Sequence, residues 1–394
     1  MTRRPKILYA GSYERDYPRN QQVIRLLRAC QCDVTEIHEP FWERIRDKSR
    51  LPGGGLSLVM IAARLLVTYL RLLIRTAPRI RSADALAIGY IGQLDMLVLG
   101  LLARISRIPV LYNPLVTLTD TIVEDRAMTD RRSLASRLIW VVDWLALRNA
   151  TLILSDTEEN ATYLTAQFGI SRSRIYPVPV GADEEMFALA SNRGDRSPGI
   201  QALFYGKMIP LHGIETILEA IRILYESGDE DISFEIIGSG QQEHLVRAFL
   251  ESHPGISLVH RRWVAYRRLP QRIASADVVL GIFGATEKAS RVVPNKVFQA
   301  MAAGAAIITR DSPAIREVLS HGSSALLTPP ADADALAEAI RSLRNAELRT
   351  RLSEGARASF ERTGSDHALM PGFSSALDAL LSSGSDSPVS RQSQ

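Results

Sequence analysis

The chain has 394 residues, 46% of them hydrophobic and 23% charged, with a mean hydropathy close to zero. That length suits two domains of ordinary size, and the composition excludes a disordered or fibrous chain. The formal charge is +4, but residues 1–82 hold 16 Lys or Arg against 7 Asp or Glu, a local +9 that leaves about −5 for the remainder.

A basic first region implies an acidic partner, either a phosphate-bearing substrate or an anionic membrane surface. No zinc finger, RNA-binding aromatic signature or basic run interleaved with aromatics supports a nucleic acid. Cys30 and Cys32 stand one residue apart, which fits neither a disulfide framework nor a zinc site and implies a reducing compartment. The N-terminal "MTRRPKILYAGSY" enters a strand without the apolar core or cleavage site of a signal peptide, so a cytoplasmic location is expected.

Short apolar runs at 6–11, 33–39, 83–90, 108–113, 150–156 and 175–181 predict strands, most of them separated by helical periodicity, as in "NQQVIRLLRAC". This alternation is the mark of a parallel sheet with helical crossovers. After the first strand, "GSYERDYPRNQQ" offers Arg15, Arg19 and Asn20 where a cleft would open; they read either as solvated loop residues or as ligands for an acceptor phosphate. The segment "LSLVMIAARLLVTYLRLLIRTAPRI" (56–80) is apolar, yet Arg64, Thr68, Arg71 and Arg75 recur at offsets 0, 4, 7 and 11 on one helical face. Charges in mid-segment argue against spanning a membrane. Two readings remain: a helix packed on the first sheet, or one resting on anionic lipid. Beyond the fourth strand, "NPLVTLTDTIVEDR" supplies Asp120, Thr121, Asp125 and Arg126.

A linker at 190–199, "ASNRGDRSPG", precedes a second alternating series. Its predicted strands lie at 201–206, 233–238, 256–261, 277–283 and 305–310, with 324–330 as a late edge element. Two Rossmann-like sheets in one chain predict an α/β fold whose domains face each other across a cleft, with ligands beyond the carboxyl ends of the strands. The expected domains are 1–185 and 186–365, then a C-terminal helix at 366–382 that packs back on the first domain, and a disordered tail from 383 to 394.

In the second series "LFYGKMIPLHGIETILEAI" runs a strand through Gly206, Lys207, His212 and Gly213 into a helix, a common way to present N–H groups and a positive dipole end to an anion. Only five residues of the chain are lysine, yet Lys207, Lys288 and Lys296 all fall in loops expected to line the cleft. Lysine serves phosphates as a compact point charge. In "VVPNKVFQAMAAG" Pro294 fits a first helical turn, Asn295 or its neighbour can cap it, and Gln299 lies a turn further on.

From about residue 150 to 342, these motifs in order resemble the retaining, nucleotide-sugar-dependent glycosyltransferases of the GT-B fold, in the "glycosyl transferases group 1" class. "VPVGADEEMF" is similar to the family's crossing segment, "FYGKMIPLHGIETILEAI" to its donor loop, "FEIIGSGQ" to a later glycine turn, and "LPQRIASADVVL" to the approach to the last donor-site helix. The resemblance implies donor contacts from Gly206, Lys207, His212, Gly213, Gly238, Gly240, Trp263, Glu287, Pro294, Asn295, Lys296 and Gln299. It implies catalytic roles for Asp120, Lys207 and Glu287, and acceptor contacts from Arg15, Arg19, Asn20 and Thr121.

Two departures stand out. His212 replaces a usual lysine, and the two glutamate slots hold Arg291 and Gln299, with Glu287 as a displaced substitute. What the resemblance implies is sugar transfer from a nucleoside-diphosphate sugar to an acceptor hydroxyl with retention, without a metal or other cofactor. A lipid-linked or polysaccharide acceptor of envelope assembly, with peripheral membrane contact through 56–80, is the expected setting. The competing readings are a nucleotide-sugar-binding scaffold subunit and another GT-B enzyme such as an epimerase.

Overall fold

The computed structural model describes residues 3–41, 43, 55–126, 128–188 and 199–385. It contains two parallel six-stranded sheets. The first is built from β1 (Lys6–Gly11), β2 (Asp33–His38), β3 (Ala85–Ile88), β4 (Val110–Tyr112), β5 (Leu152–Ser155) and β6 (Ile175–Pro177), in the order β2-β1-β3-β4-β5-β6. The second holds β7 (Ile200–Tyr205), β8 (Ile232–Ile237), β9 (Leu258–Arg261), β10 (Val278–Leu280), β11 (Ala306–Arg310) and β12 (Leu326–Thr328), in the order β12-β11-β10-β7-β8-β9.

All twelve strands lie inside the apolar runs that predict them or overhang them by one residue, and β12 takes the expected edge place. Several ladders are shorter than their runs because the strand ends are buried too: Ile282 and Phe283 lie beyond β10 and are both inaccessible to solvent. Strands covered on both faces read as continuous apolar runs, which explains the agreement.

Each sheet supports its own compact unit. The first comprises residues up to Val123, Ala127–Val178 and the chain from Met370 onward; the second comprises Glu124–Arg126 and Pro179–Leu369. The division thus falls after Val178, seven residues before the expected boundary at 185. The Glu184–Ala188 turn is the cause: Phe187 is fully buried beside the Tyr266 ring, and Glu184 pairs with Arg357 at 2.6 Å. The C-terminal helix, Asp366–Ser385, buries Phe373, Leu377 and Leu380 and continues past 383, where the tail was expected to begin. The linker at 190–198 and the tail from 386 lie outside the described residues.

Candidate active site

Counted from β7, the second sheet reads β9-β8-β7-β10-β11-β12, the dinucleotide-fold order, whose direction reverses between β7 and β10. A crevice opens beyond the carboxyl ends of the strands at that reversal. The loop leaving β7 is packed so closely that a Cβ at Gly238, after β8, would lie 1.9 Å from the Gly206 carbonyl oxygen. Gly213 takes a left-handed conformation (φ 65°) that turns the chain into the Ile214–Glu226 helix. Gly240, φ 155°, stands against the Met208 backbone in the same way.

Inside this loop the basic groups converge. The Lys296 Nζ donates to the Gly281 carbonyl at 3.2 Å and sits 3.8 Å from the centre of the Phe204 ring. Its backbone carbonyl accepts from the Tyr205 hydroxyl at 3.0 Å. Lys296 and His212 are both buried, and both lie against Gly206: a Cβ there would come 3.1 Å from Lys296 Nζ and 3.0 Å from His212 Cε1. Burial holds the Lys296 ammonium well below the usual lysine range. His212 is depressed by burial first and by the nearby Lys296 charge second. The Lys207 carbonyl accepts from His212 Nδ1, which places the proton of the neutral ring on Nδ1. Lys207 itself is exposed at the loop surface, and Lys288 is buried in the Glu287–Arg291 turn.

The Asn295–Ala302 helix carries Lys296 on its first turn. Of Asn295 and its neighbour, Pro294 takes the capping position, and no side chain caps this end. Gln299 is buried and donates from Nε2 to the Tyr266 hydroxyl at 3.1 Å. Arg291 pairs with Glu124 at 3.3 Å, a residue that clusters with this unit, and with Glu287 at 3.6 Å. Glu287 is 79% exposed at the side chain, on a turn capped by Thr286. Trp263, after β9, is 78% exposed.

In the first unit two of the expected acceptor ligands are architectural. Arg19 is fully buried and donates to Asn113 Oδ1 (2.9 Å), Gln22 Oε1 (2.9 Å) and the Val178 carbonyl (2.7 Å), tying the first helix to the β4 and β6 ends. Burial brings its pKa down to about 10. Asn20, also fully buried, accepts from the Tyr9 hydroxyl and the Tyr90 N–H and donates to the Glu14 carbonyl. Neither presents a side chain to solvent, although both were expected as acceptor contacts. Arg15 is exposed, 3.9 Å from Glu36. Asp120 is buried in the Thr119–Asp125 turn, its N–H bonded to Thr117 Oγ1 at 3.1 Å, and the half-buried Thr121 follows it.

Two buried carboxylates escape the sequence reading. Asp95 accepts from the Ser12 N–H (2.8 Å), the Ser12 hydroxyl (2.9 Å) and the Tyr69 hydroxyl (3.0 Å). Asp143 accepts from the Leu118 N–H (3.0 Å) and from both the N–H and hydroxyl of Thr119 (2.7 Å each). Burial pushes each up to about 6 against these bonds. The available signal was a lone acid inside an apolar helical run, as in "WVVDWL".

Residues 199–345 match the family described as Glycosyl transferases group 1. Among curated proteins nothing matches significantly. Solved structures align over nearly the whole chain at low identity. Sucrose-phosphate synthase from Thermosynechococcus elongatus has a TM-score of 0.71 at 15% identity, covering 96% of this chain and all of its own. HepE from Anabaena, solved with UDP and glucose, has 0.67 at 13%, covering 95% and 100%. The lipopolysaccharide outer core galactosyltransferase WaaB, in its apo form, has 0.62 at 14%, covering 95% and 99%. Residues 199–345 thus resemble the group 1 glycosyltransferases, and the chain as a whole carries the GT-B fold of these structures.

Proposed function

We propose that the chain transfers a sugar from a nucleoside-diphosphate sugar to an acceptor hydroxyl, with retention at the anomeric carbon. The observation that carries this reading is Lys296: a buried ammonium with one carbonyl and one aromatic face for partners, beside Gly206 at the β7–β10 crevice. A cation so poorly compensated is costly until an anion arrives. Lys207, Lys296 and the N-terminus of the Asn295–Ala302 helix together suit the two phosphates of a donor. UDP bound to HepE supports the nucleotide class.

Catalysis on this reading is positioning and charge neutralisation. The donor's glycosidic C–O bond breaks, the diphosphate leaves with the electron pair, and Lys207 and Lys296 stabilise its growing charge. The acceptor oxygen bonds to the anomeric carbon on the face the leaving group vacates and loses its proton to the departing phosphate oxygen. His212 is neutral before binding; a phosphate against Nε2 favours the imidazolium, so donor binding takes up a proton. No metal is assigned a role, since the protein supplies the positive charge. The acceptor we assign to envelope polysaccharide or glycolipid assembly, following the charge of the first 82 residues.

Calorimetry of the purified chain in EDTA against UDP, GDP, ADP and their sugar conjugates tests the donor site. One diphosphate should bind, with loss in Lys207→Ala and Lys296→Ala, and the anomeric configuration of a product formed with a simple alkyl alcohol tests retention. A folded chain that binds none of the panel overturns the reading. Tight binding without donor hydrolysis or transfer would favour the scaffold alternative, which the engaged Gln299 amide and the Arg291 ion pairs in the usual glutamate slots favour structurally.

A further inference from the structure

The helical side of the first sheet carries an apolar surface that its core does not use. The connections from β2 to β3, β3 to β4 and β4 to β5 include the helices Gly55–Ile80, Leu101–Ile105 and Leu134–Asn149. Along the sheet order β2-β1-β3-β4-β5 all three connections advance the same way, so right-handed crossovers place these helices on one face. Their inner sides share one core, which includes Leu72, Leu99, Ala103, Ala146 and Leu147.

Their outer sides stay apolar. On the first helix Leu66, Leu70 and Ile74 are 72%, 55% and 64% exposed. On the second, Ile105 is 73% exposed. On the third, Leu134, Leu138, Val141 and Leu145 recur at offsets 0, 4, 7 and 11, and all four are exposed. In the second unit the exposed large apolar residues among those described are Tyr225, Val259, Trp263 and Tyr266, which form no such stripe. Exposed apolar residues gathered on three helices of one face mark an interaction surface.

The charge on this face has one sign. Residues 55–80, 96–107 and 131–149 contain no Asp or Glu except Asp143, which is buried beneath Thr119. Arg64, Arg71, Arg104, Arg107, Arg137 and Arg148 are exposed there. At the ends of the second and third helices, Arg104, Arg107 and Arg148 line one open pocket together with Arg174, which closes the third helix by donating to the Leu147 carbonyl at 3.2 Å. Arginine forks suit phosphate oxygens.

We propose that this three-helix face seats the protein on an anionic lipid bilayer, with its leucines in the headgroup boundary and Arg104, Arg107 and Arg148 on lipid phosphates. Among the described residues no helix is long and apolar enough to cross a membrane, which leaves helices lying in the surface plane. A second copy is a poorer occupant, because an isologous contact would set arginines against arginines. The inference extends the lipid reading of 56–80 to two further helices, and it stands apart from the glycosyl-transfer reading.

Sedimentation of the full chain with vesicles of phosphatidylcholine, with and without phosphatidylglycerol, tests it. Binding should be at least about tenfold stronger to the anionic vesicles, weaken with salt, and fall about tenfold in Arg104→Ala/Arg107→Ala. Ile105→Glu/Leu138→Glu should lose binding with an unchanged thermal melt, since both side chains already face solvent. Equal affinity for both vesicles, no sedimentation with either, or variants that bind like the parent would overturn the proposal. So would a dimer in light scattering that Ile105→Glu/Leu138→Glu splits, because it would give the face to a second copy.

Discussion

Each unit is built on six parallel strands, in different orders, and the two bury opposite charges near the ends of their strands. In the first, Asp95 and Asp143 each accept three hydrogen bonds from neighbouring backbone and hydroxyl groups. In the second, Lys296 has one hydrogen bond and a ring, and His212 is neutral against a single carbonyl. Buried polar groups with full partnership hold loops in place, while an under-partnered cation is a site waiting for its counter-charge. The contrast fits architecture for the first set and, on the proposed reading, ligand binding for the second.

The largest expected effect tests the architectural side. Arg19→Ala should destabilise the chain by about 3–5 kcal/mol, because it removes a buried donor from Asn113, Gln22 and the Val178 carbonyl at once. Urea unfolding measures this; a near-parental midpoint with weakened acceptor binding would return Arg19 to the substrate.

Next, Lys296→Met should weaken nucleoside-diphosphate binding roughly 100-fold while leaving the protein as stable as before or about 1 kcal/mol more so, since a poorly compensated buried charge is removed. Calorimetry and a thermal melt on the same sample read both quantities. Stability lost in step with affinity would make Lys296 a structural tie and erase the contrast.

The third effect follows from the carboxyls pushed up to about 6. A raised native pKa means that the folded state holds protons the unfolded state releases between about pH 4 and 6. The stability contribution of Asp95 is therefore greatest below pH 4 and falls as pH rises through 6, by about 3 kcal/mol. Comparing melts of the parent and Asp95→Asn across that range should show the parent losing ground as pH rises. Parallel curves would mean that the three bonds to Asp95 outweigh its burial.

The smallest effect concerns Glu287. With its side chain 79% exposed, Glu287→Gln should change stability by less than about 0.5 kcal/mol, so a fall in turnover would reflect contact with substrate. A chemical melt beside a transfer assay separates the two.

The strands were legible because buried parallel strands are written as apolar runs, and the turn from β7 into the next helix because Gly206 and Gly213 punctuate it. The fate of Arg19 and Asn20 was not legible. A polar residue after a strand reads the same whether it faces a cleft or turns inward to a carbonyl from β6, 159 positions away. Glutamine at 299 was visible, but its bond to Tyr266 depends on a loop whose course the sequence does not state. The boundary after Val178 was likewise hidden, since it depends on where Phe187 is buried.

The hydroxyl of Tyr69 has a consequence that reaches past Asp95. It comes from the helix with the exposed leucines, and the same carboxylate oxygen that accepts it also accepts the hydroxyl of Ser12, at the start of the loop leaving β1. Outer surface and loop are thereby joined through one atom. Any push that shifts the Gly55–Ile80 helix along the sheet must either drag residues 12–20 with it or break a bond to a buried acid, so the helix acts on that loop as a handle acts on a latch.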